Sequence, residues 1–458
     1  MKFRNTLILA AILALGIWSV VYLNKRDAKN EETKKSDEKV LNVAPAHISE
    51  LSIEPAGLQA VRDSSEWKIV RPVPTPGDKS NLDAIANLFD WAKKERVVSS
   101  NPAEYADFGL QPARTTLILV HDKGKDTLFI GDNSPTGSYI FARKSGSADV
   151  FLTTTSLESN TSKSLFDLRD KTVLAFDRSA AREMEVQSAQ SQLTLVKEGS
   201  QWKLSRPIEW RAEDTKVDDL ISKVSNARAA SFVDENPVNL GPYGLDKPLY
   251  TINILLNENR AKKTLFIGKA DGANYFAKDD SRKPVFTVDS AFVNGLKFKV
   301  EDYRSKKILD FSVSQVSKVV VKQNDSTFVF EKDTTNTWAM LKPAGKKIKT
   351  WKISTLVSDV EALQAESFAA ERPAEWGSFG LTKPVVEVEL FQKDNSMAGI
   401  LLGRSRDKDT MFLKRADTPT VYVVKKETLD KVKINMTDLL ESAAPATTAD
   451  AVVPISNK

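Results

Sequence analysis

Trp67-Lys68-Ile69-Val70-Arg71-Pro72 returns as Trp202-Lys203-Leu204-Ser205-Arg206-Pro207, and again as Trp338-Ala339-Met340-Leu341-Lys342-Pro343. The three tryptophans stand 135 and 136 positions apart. Forty-one residues after each comes an aromatic-Gly-Leu turn: Phe108-Gly109-Leu110, Tyr243-Gly244-Leu245 and Phe379-Gly380-Leu381. A proline follows each turn, at Pro112, Pro248 and Pro384. Two landmarks with matching spacing identify three tandem copies of one domain. Within each Trp segment apolar residues alternate (Trp67 with Ile69, Trp202 with Leu204, Trp338 with Met340), the pattern of a half-buried strand.

Working outward, Ser80, Thr215 and Thr350 read as helix N-caps, with Asp83 and Asp218 completing box-like patterns in the first two copies. Apolar residues then recur at spacings of three and four: Leu82, Ile85, Phe89; Val217, Leu220, Val224; Ile353, Leu356, Val360. After the Gly-Leu turn come short strands. Val386-Glu387-Val388-Glu389-Leu390 alternates most clearly, and a second strand ends on glycine in Leu128–Gly131, Leu265–Gly268 and Ile400–Gly403. Each copy reads as a leading hairpin, a helix, a four-strand antiparallel meander and a closing helix. The predicted fold class is α+β: three tandem repeats of mixed antiparallel sheet plus helices, preceded by one transmembrane helix. The repeats are expected at 45–177, 178–312 and 313–441, each long enough to bury its own core.

The flanks read differently. Thr6 to Leu23 is an eighteen-residue run without charge, about 27 Å of helix, enough for a thin bilayer. Lys2 and Arg4 precede it, Lys25 and Arg26 follow it, and Trp18 and Tyr22 lie near its far end. A cleavable signal peptide shares the basic start, but has a shorter apolar core and a small-residue cleavage site, which is missing here. Residues 1–23 are therefore expected to anchor the chain in the bilayer. Residues 24–44 form a charged tether and 442–458 an unstructured tail rich in Ala, Thr and Pro. Charge counts alone leave topology open: six basic residues follow the helix and two precede it, yet long domains translocate regardless of charge.

Of 458 residues, 41% are hydrophobic and 28% charged, an ordinary globular mixture. There is no cysteine, and His47 and His121 are the two histidines. Thiol nucleophiles, disulfides, thiolate zinc sites and His-cluster metal sites are thereby excluded. Net charge is +5 with no basic stripe interleaved with aromatics, so nucleic acid is not an expected partner.

The string W-K-[IL]-x-R-P, aromatic-Gly-Leu-x-x-Pro, L-F-I-G and D-[LY]-R-x-K, spread from about residue 47 to 441, resembles the bacterial family called domain of unknown function 4340. That resemblance implies single-anchor envelope proteins, often encoded beside ABC-type transporter components like those of gliding-motility systems. It implies an inner-membrane, single-pass protein with its bulk in the periplasm, and it brings no catalytic residues. Copy three departs from the pattern, with Lys342 for Arg and Asp438-Leu439-Leu440-Glu441 for Asp-x-Arg.

Candidate chemistry is sparse. Arg71, Arg206 and Lys342 are positioned to bind an anion, or to form a salt bridge at a strand end. Arg169 and Arg304, in Asp167-Leu168-Arg169-Asp170-Lys171 and Asp302-Tyr303-Arg304-Ser305-Lys306, read as charged groups fixing the exit to the next domain. Ser65-Glu66-Trp67-Lys68 and Ser200-Gln201-Trp202-Lys203 match Ser-x-x-Lys, but on a strand positions three apart face opposite sides. Gly131 to Ser138 reads as a hairpin turn, lacking the lysine of a phosphate loop. Asp218-Asp219 and Asp279-Asp280 read as solvated surface. No catalytic residue, cofactor or metal is expected. The function expected is an anchored accessory or scaffold protein of an ABC-type transporter complex. A module binding cell-wall glycan or another polymer, and a carboxylate-dependent hydrolase, are the rivals.

Overall fold

The structure, a computed structural model, describes residues 18, 21–25, 38–257 and 259–441. Most of the expected anchor and tether, and the tail from 442, lie outside the described residues. Among the described residues no helix is long and apolar enough to cross a membrane.

The first repeat runs β1 (Ile48–Glu54), β2 (Leu58–Asp63), β3 (Glu66–Arg71), β4 (Thr75–Pro76), α1 (Lys79–Trp91), β5 (Arg96–Ser99), β6 (Thr115–His121), β7 (Gly124–Asn133), β8 (Tyr139–Lys144) and β9 (Val150–Thr154). Short helices α2 (Ser156–Thr161) and α3 (Leu165–Leu168) close it. The sheet is antiparallel, in the order β4-β3-β2-β1-β6-β7-β8-β9-β5. The leading strands and the meander therefore form one sheet, joined where β1 pairs with β6, Leu51 opposite Leu119. The expected leading hairpin has two further strands, giving β1 to β4 before the main helix. β5, at the far edge against β9, is a four-residue strand too short for an alternation to declare itself.

The chain divides into two compact units. Unit one holds the chain through Ala175 together with Asn226–Leu245 and Lys269–Ser290; unit two holds Phe176–Ser225, Asp246–Gly268 and the chain from Ala291. Unit one contains the whole first sheet, and unit two the whole eight-stranded sheet of the third repeat. The second repeat is divided between them: its strands within 181–256 other than Ser231–Asp234 lie in unit two, whereas Ser231–Asp234, Asn274–Asp279 and Val285–Asp289 lie in unit one.

Alternation sets the burial. Trp67 and Ile69, Trp202 and Leu204, Trp338 and Met340 are buried while their strand neighbours face out. The helical stripes are buried as spaced: Leu82, Ile85 and Phe89; Val217, Leu220 and Val224; Ile353, Leu356 and Val360. The caps differ from expectation. α1 is capped by Asp78, whose carboxylate accepts the Asn81 N–H at 2.9 Å, two residues ahead of Ser80. Thr215 lies inside a helix that starts at Asp214, and Thr350 is the first residue of its helix, behind Lys349. In the first repeat the earlier carboxylate does the capping, and in the third Lys349 makes no side-chain cap bond at all. Asp83, released from capping, accepts Trp67 Nε1–H at 2.9 Å and pairs with Arg62 at 2.5 Å.

Gly109, Gly244 and Gly380 end their 3₁₀ turns in the left-handed region, φ 64–69°, where a side chain is strained. Gly131 is required for a different reason: a Cβ there would lie 2.1 Å from the Phe108 carbonyl oxygen.

Candidate functional site

Arg71, Arg206 and Lys342 are exposed. Strand alternation would place them on the buried Trp face, but each copy has a bulge just before them. Gln59 pairs with Arg71 while its neighbour Ala60 pairs with Ile69, and Thr194/Leu195 and Val329/Phe330 repeat the shift. The extra residue turns the basic side chain to solvent. Arg71 Nε then donates to Gln59 at 2.8 Å and Arg206 to Gln192 at 3.3 Å. The following proline is cis in all three copies. Pro112 is also cis, and Pro248 and Pro384 keep their places after the Gly-Leu turns.

The weighed carboxylates divide. Asp218, Asp219 and Asp280 are exposed, but Asp279 is 2% exposed and not surface at all. Arg282, three residues on, folds back to it with Nε 3.0 Å from Oδ2, and its Nη2 donates to the carbonyls of Thr172 and Val173. A carboxylate that orients a guanidinium onto backbone carbonyls belongs inside. His47 pairs with Asp122 at 3.0 Å on the surface. His121 is inward, with Nδ1 accepting the Lys123 N–H and Nε2 3.3 Å from Asp126. Lys68 and Lys203 of the Ser-x-x-Lys matches pair with Asp63 and Glu198. Among the described residues no group of three or more His, Asp or Glu is placed to hold a metal.

Arg169 and Arg304 are the notable polar groups. Each follows a repeat's last helical turn and is pinned by an isolated bridge to the residue just after the short strand that precedes the main helix, Gly77 with Arg169 and Ala212 with Arg304. Both are buried, at 2% and 3% exposure. In unit one the Arg169 guanidinium carbon lies 3.4 Å from the Phe232 ring centre. Its Nη1 and Nη2 engage Glu235 at 2.5 and 3.2 Å, and Nη2 also reaches Thr75 Oγ1 at 3.3 Å. In unit two Arg304 lies 3.4 Å from the Phe368 ring centre and 4.2 Å from that of Trp210, with both Nη on Glu371. One face of each cation takes a ring and one edge takes a bidentate carboxylate, the arrangement a planar guanidinium satisfies best. Nε of each is buried without a partner.

Sequence reasoning found the two arginines and missed what they hold. A signal was present. Phe-x-x-Glu recurs at Phe232/Glu235 and Phe368/Glu371, thirty residues after Trp202 and Trp338, whereas the first repeat has Val97 and Ser100 there. The donor Asp-x-Arg occurs in copies one and two, and the acceptor Phe-x-x-Glu in copies two and three. Three copies in series have two junctions, and the residues are distributed accordingly. Leu440 takes the arginine's place in copy three, bridged to Ile348.

The junctions differ at one position. Thr75 pairs with Ile69 and Trp210 with Leu204, so they are equivalent. The Trp210 indole packs at 5.5 Å against Phe368 and 6.1 Å against Tyr422, and donates from Nε1 to the Ser305 carbonyl at 3.1 Å. With Thr75 there instead, unit one has a cavity of about 440 Å³ between Pro76, Arg169, Phe232, Glu235 and Phe286.

Domain of unknown function (DUF4340) is the family whose profile matches, in three segments: residues 67–204, 202–375 and 363–444. The chain belongs to this family. No curated protein matches. Among solved structures, DNA polymerase III subunit beta from Pseudomonas aeruginosa aligns at 9% identity over 83% of this chain and 92% of its own, TM-score 0.15. A DNA polymerase sliding clamp from the same organism, solved with ligand, aligns at 8% identity over 85% and 94%, TM-score 0.13. Scores this low carry no structural argument. The first two DUF4340 matches begin at the Trp strand and run into the next copy, so the first includes Arg169 and the second the whole Arg304-to-Phe368/Glu371 junction, whereas the third begins at 363.

Proposed function

We propose that this DUF4340 protein is a non-enzymatic accessory or scaffold, anchored in the inner membrane through Thr6–Leu23, with its repeats outside the cytoplasm beside an ABC-type transporter complex. The observation that carries the reading is the donor and acceptor distribution. The buried, strongly hydrogen-bonded polar residues at Arg169 and Arg304 are spent on joining successive copies. Asp279 is likewise committed to Arg282 and Ser281, which leaves the hydrolase rival without a free buried acid at that position. Repeats tied together on a membrane tether hold several contacts at high effective concentration near one complex. The transporter partner rests on the family resemblance.

Gentle detergent extraction of the full-length chain should co-purify a transporter-type membrane protein, and removal of residues 1–39 should weaken that association without unfolding the repeats. Retention on purified cell-wall glycan with no membrane partner recovered would favour the glycan-binding rival. Alkaline phosphatase fused after Glu441 should be active; an inactive fusion would place the repeats in the cytoplasm and reject the envelope reading.

A further inference from the structure

The two junctions act as template and vacancy. In unit two the space beside Arg304 is filled by the chain's own indole. That ring has a guanidinium on its face, aromatic neighbours at Phe368 and Tyr422, and a backbone carbonyl for its N–H. Unit one keeps the counterparts of those contacts: Arg169 for Arg304, Phe232 for Phe368, Phe286 for Tyr422, and Asp170 for Ser305. The backbone frame is kept too, with Asp170 N–H on the Pro76 carbonyl at 2.9 Å as Ser305 N–H is on that of Arg211 at 2.8 Å. The indole is missing, because Thr75 stands where Trp210 does, and Arg282 and Lys283 line the same space. The cavity volume of about 440 Å³ is within the roughly 300–1,000 Å³ of small-ligand sites. Its cation is fixed by Glu235 and by the Phe232 face, so the site is preorganised before anything enters.

We infer that the cavity beside Arg169 is a binding site for a planar, indole-like aromatic group carrying a hydrogen-bond donor. Such a group would stack on the guanidinium and pack against Phe232 and Phe286, as Trp210 does in unit two. The same chemistry is available as a free aromatic molecule or as a tryptophan side chain on another polypeptide.

The test uses the full chain, with indole and the capped peptide Ala-Ala-Trp-Ala-Ala as probes, followed by calorimetry and ligand-observed NMR. Indole should bind saturably at one site, and Thr75→Trp, which supplies the missing ring from within, should weaken binding at least tenfold while leaving the chain folded. Trp210→Thr should raise the stoichiometry from one to two. Peptide binding at least tenfold tighter than indole identifies a polypeptide side chain as the occupant; equal or weaker peptide binding identifies a free molecule. No saturable indole binding by the native chain, or binding unchanged by Thr75→Trp, overturns the inference. So does loosening of unit one in Thr75→Trp, because a cavity shaped for an indole accommodates it. A folded Trp210→Thr chain that still binds one equivalent removes the template on which the inference stands.

Discussion

The Arg169 junction of unit one and the Arg304 junction of unit two have the same cation, the same ring and the same carboxylate, yet they are not equally complete. Arg304 lies against two rings, Trp210 and Phe368, which meet edge to face, and its hydrogen bonds go to Glu371. Arg169 has one ring and adds the Thr75 hydroxyl to Glu235. The comparison separates what a junction needs from what it tolerates. The ring, the guanidinium and the carboxylate occur in both; the residue on the short strand before the helix is free to vary, and a cavity opens where it is small.

The largest expected effect comes from removing the carboxylates. Glu371→Gln and Glu235→Gln would each leave a buried guanidinium without its counter-charge, a loss of roughly 3–5 kcal/mol for a fully buried pair and somewhat less here because both glutamates retain solvent contact. Glu235→Gln should cost more, since Glu235 is 29% exposed and Glu371 48%. Hydrogen exchange in Ser367–Ala370 and Ser231–Asp234 would read each junction separately, avoiding a single midpoint for a chain of several units. Equal exchange in the two variants would show that the Thr75 hydroxyl, which Arg169 retains, offsets the difference in burial.

A smaller contrast sets Phe232 against its equivalent, Val97. Phe232→Ala removes the ring under Arg169 and should cost about 2–4 kcal/mol, whereas Val97→Ala, on an exposed position with no arginine delivered to it, should stay within about 0.5 kcal/mol. A large loss at Val97 would reveal a partner for the first repeat's acceptor position.

The smallest effect is a pH dependence read at one carboxylate of the first repeat. Burial pushes the Asp83 carboxyl up, but bonds from the Trp67 indole, Lys79 and Arg62 outweigh it and hold the group below the usual carboxylate range. A depressed folded value stabilises above the unfolded value of about 3.9, and that stabilisation is lost as pH falls through the folded value. Exchange around Trp67 should therefore rise below about pH 4, and Asp83→Asn should flatten the dependence. An unchanged profile in that variant would assign the acid sensitivity elsewhere.

What was legible in the sequence was local. Alternation around Trp67, Trp202 and Trp338, the three-and-four stripes of the main helices and the Gly-Leu turns all lie within a few residues of one another, and periodicity reports which side is buried. The bulge that turns Arg71 outward was not legible, because it depends on how the paired strand aligns. The edge strand Arg96–Ser99 is set by its partner Val150–Thr154 more than by its own four residues. Asp279 read as solvated because its burial depends on Arg282 reaching the Thr172 and Val173 carbonyls, 110 and 109 positions away along the chain.

The sequence by itself determined that the chain repeats three times and that each copy is an antiparallel sheet with a helix. Tertiary structure alone decided that Arg169 meets Glu235 across 66 positions and Arg304 meets Glu371 across 67, and that Thr75 leaves room where Trp210 fills it. The physical reason is range. Hydrogen-bonded backbone and side-chain alternation follow from neighbours along the chain. The stacking of a guanidinium on a ring, and the volume left when a ring is missing, follow from surfaces that meet only after the sheets have formed.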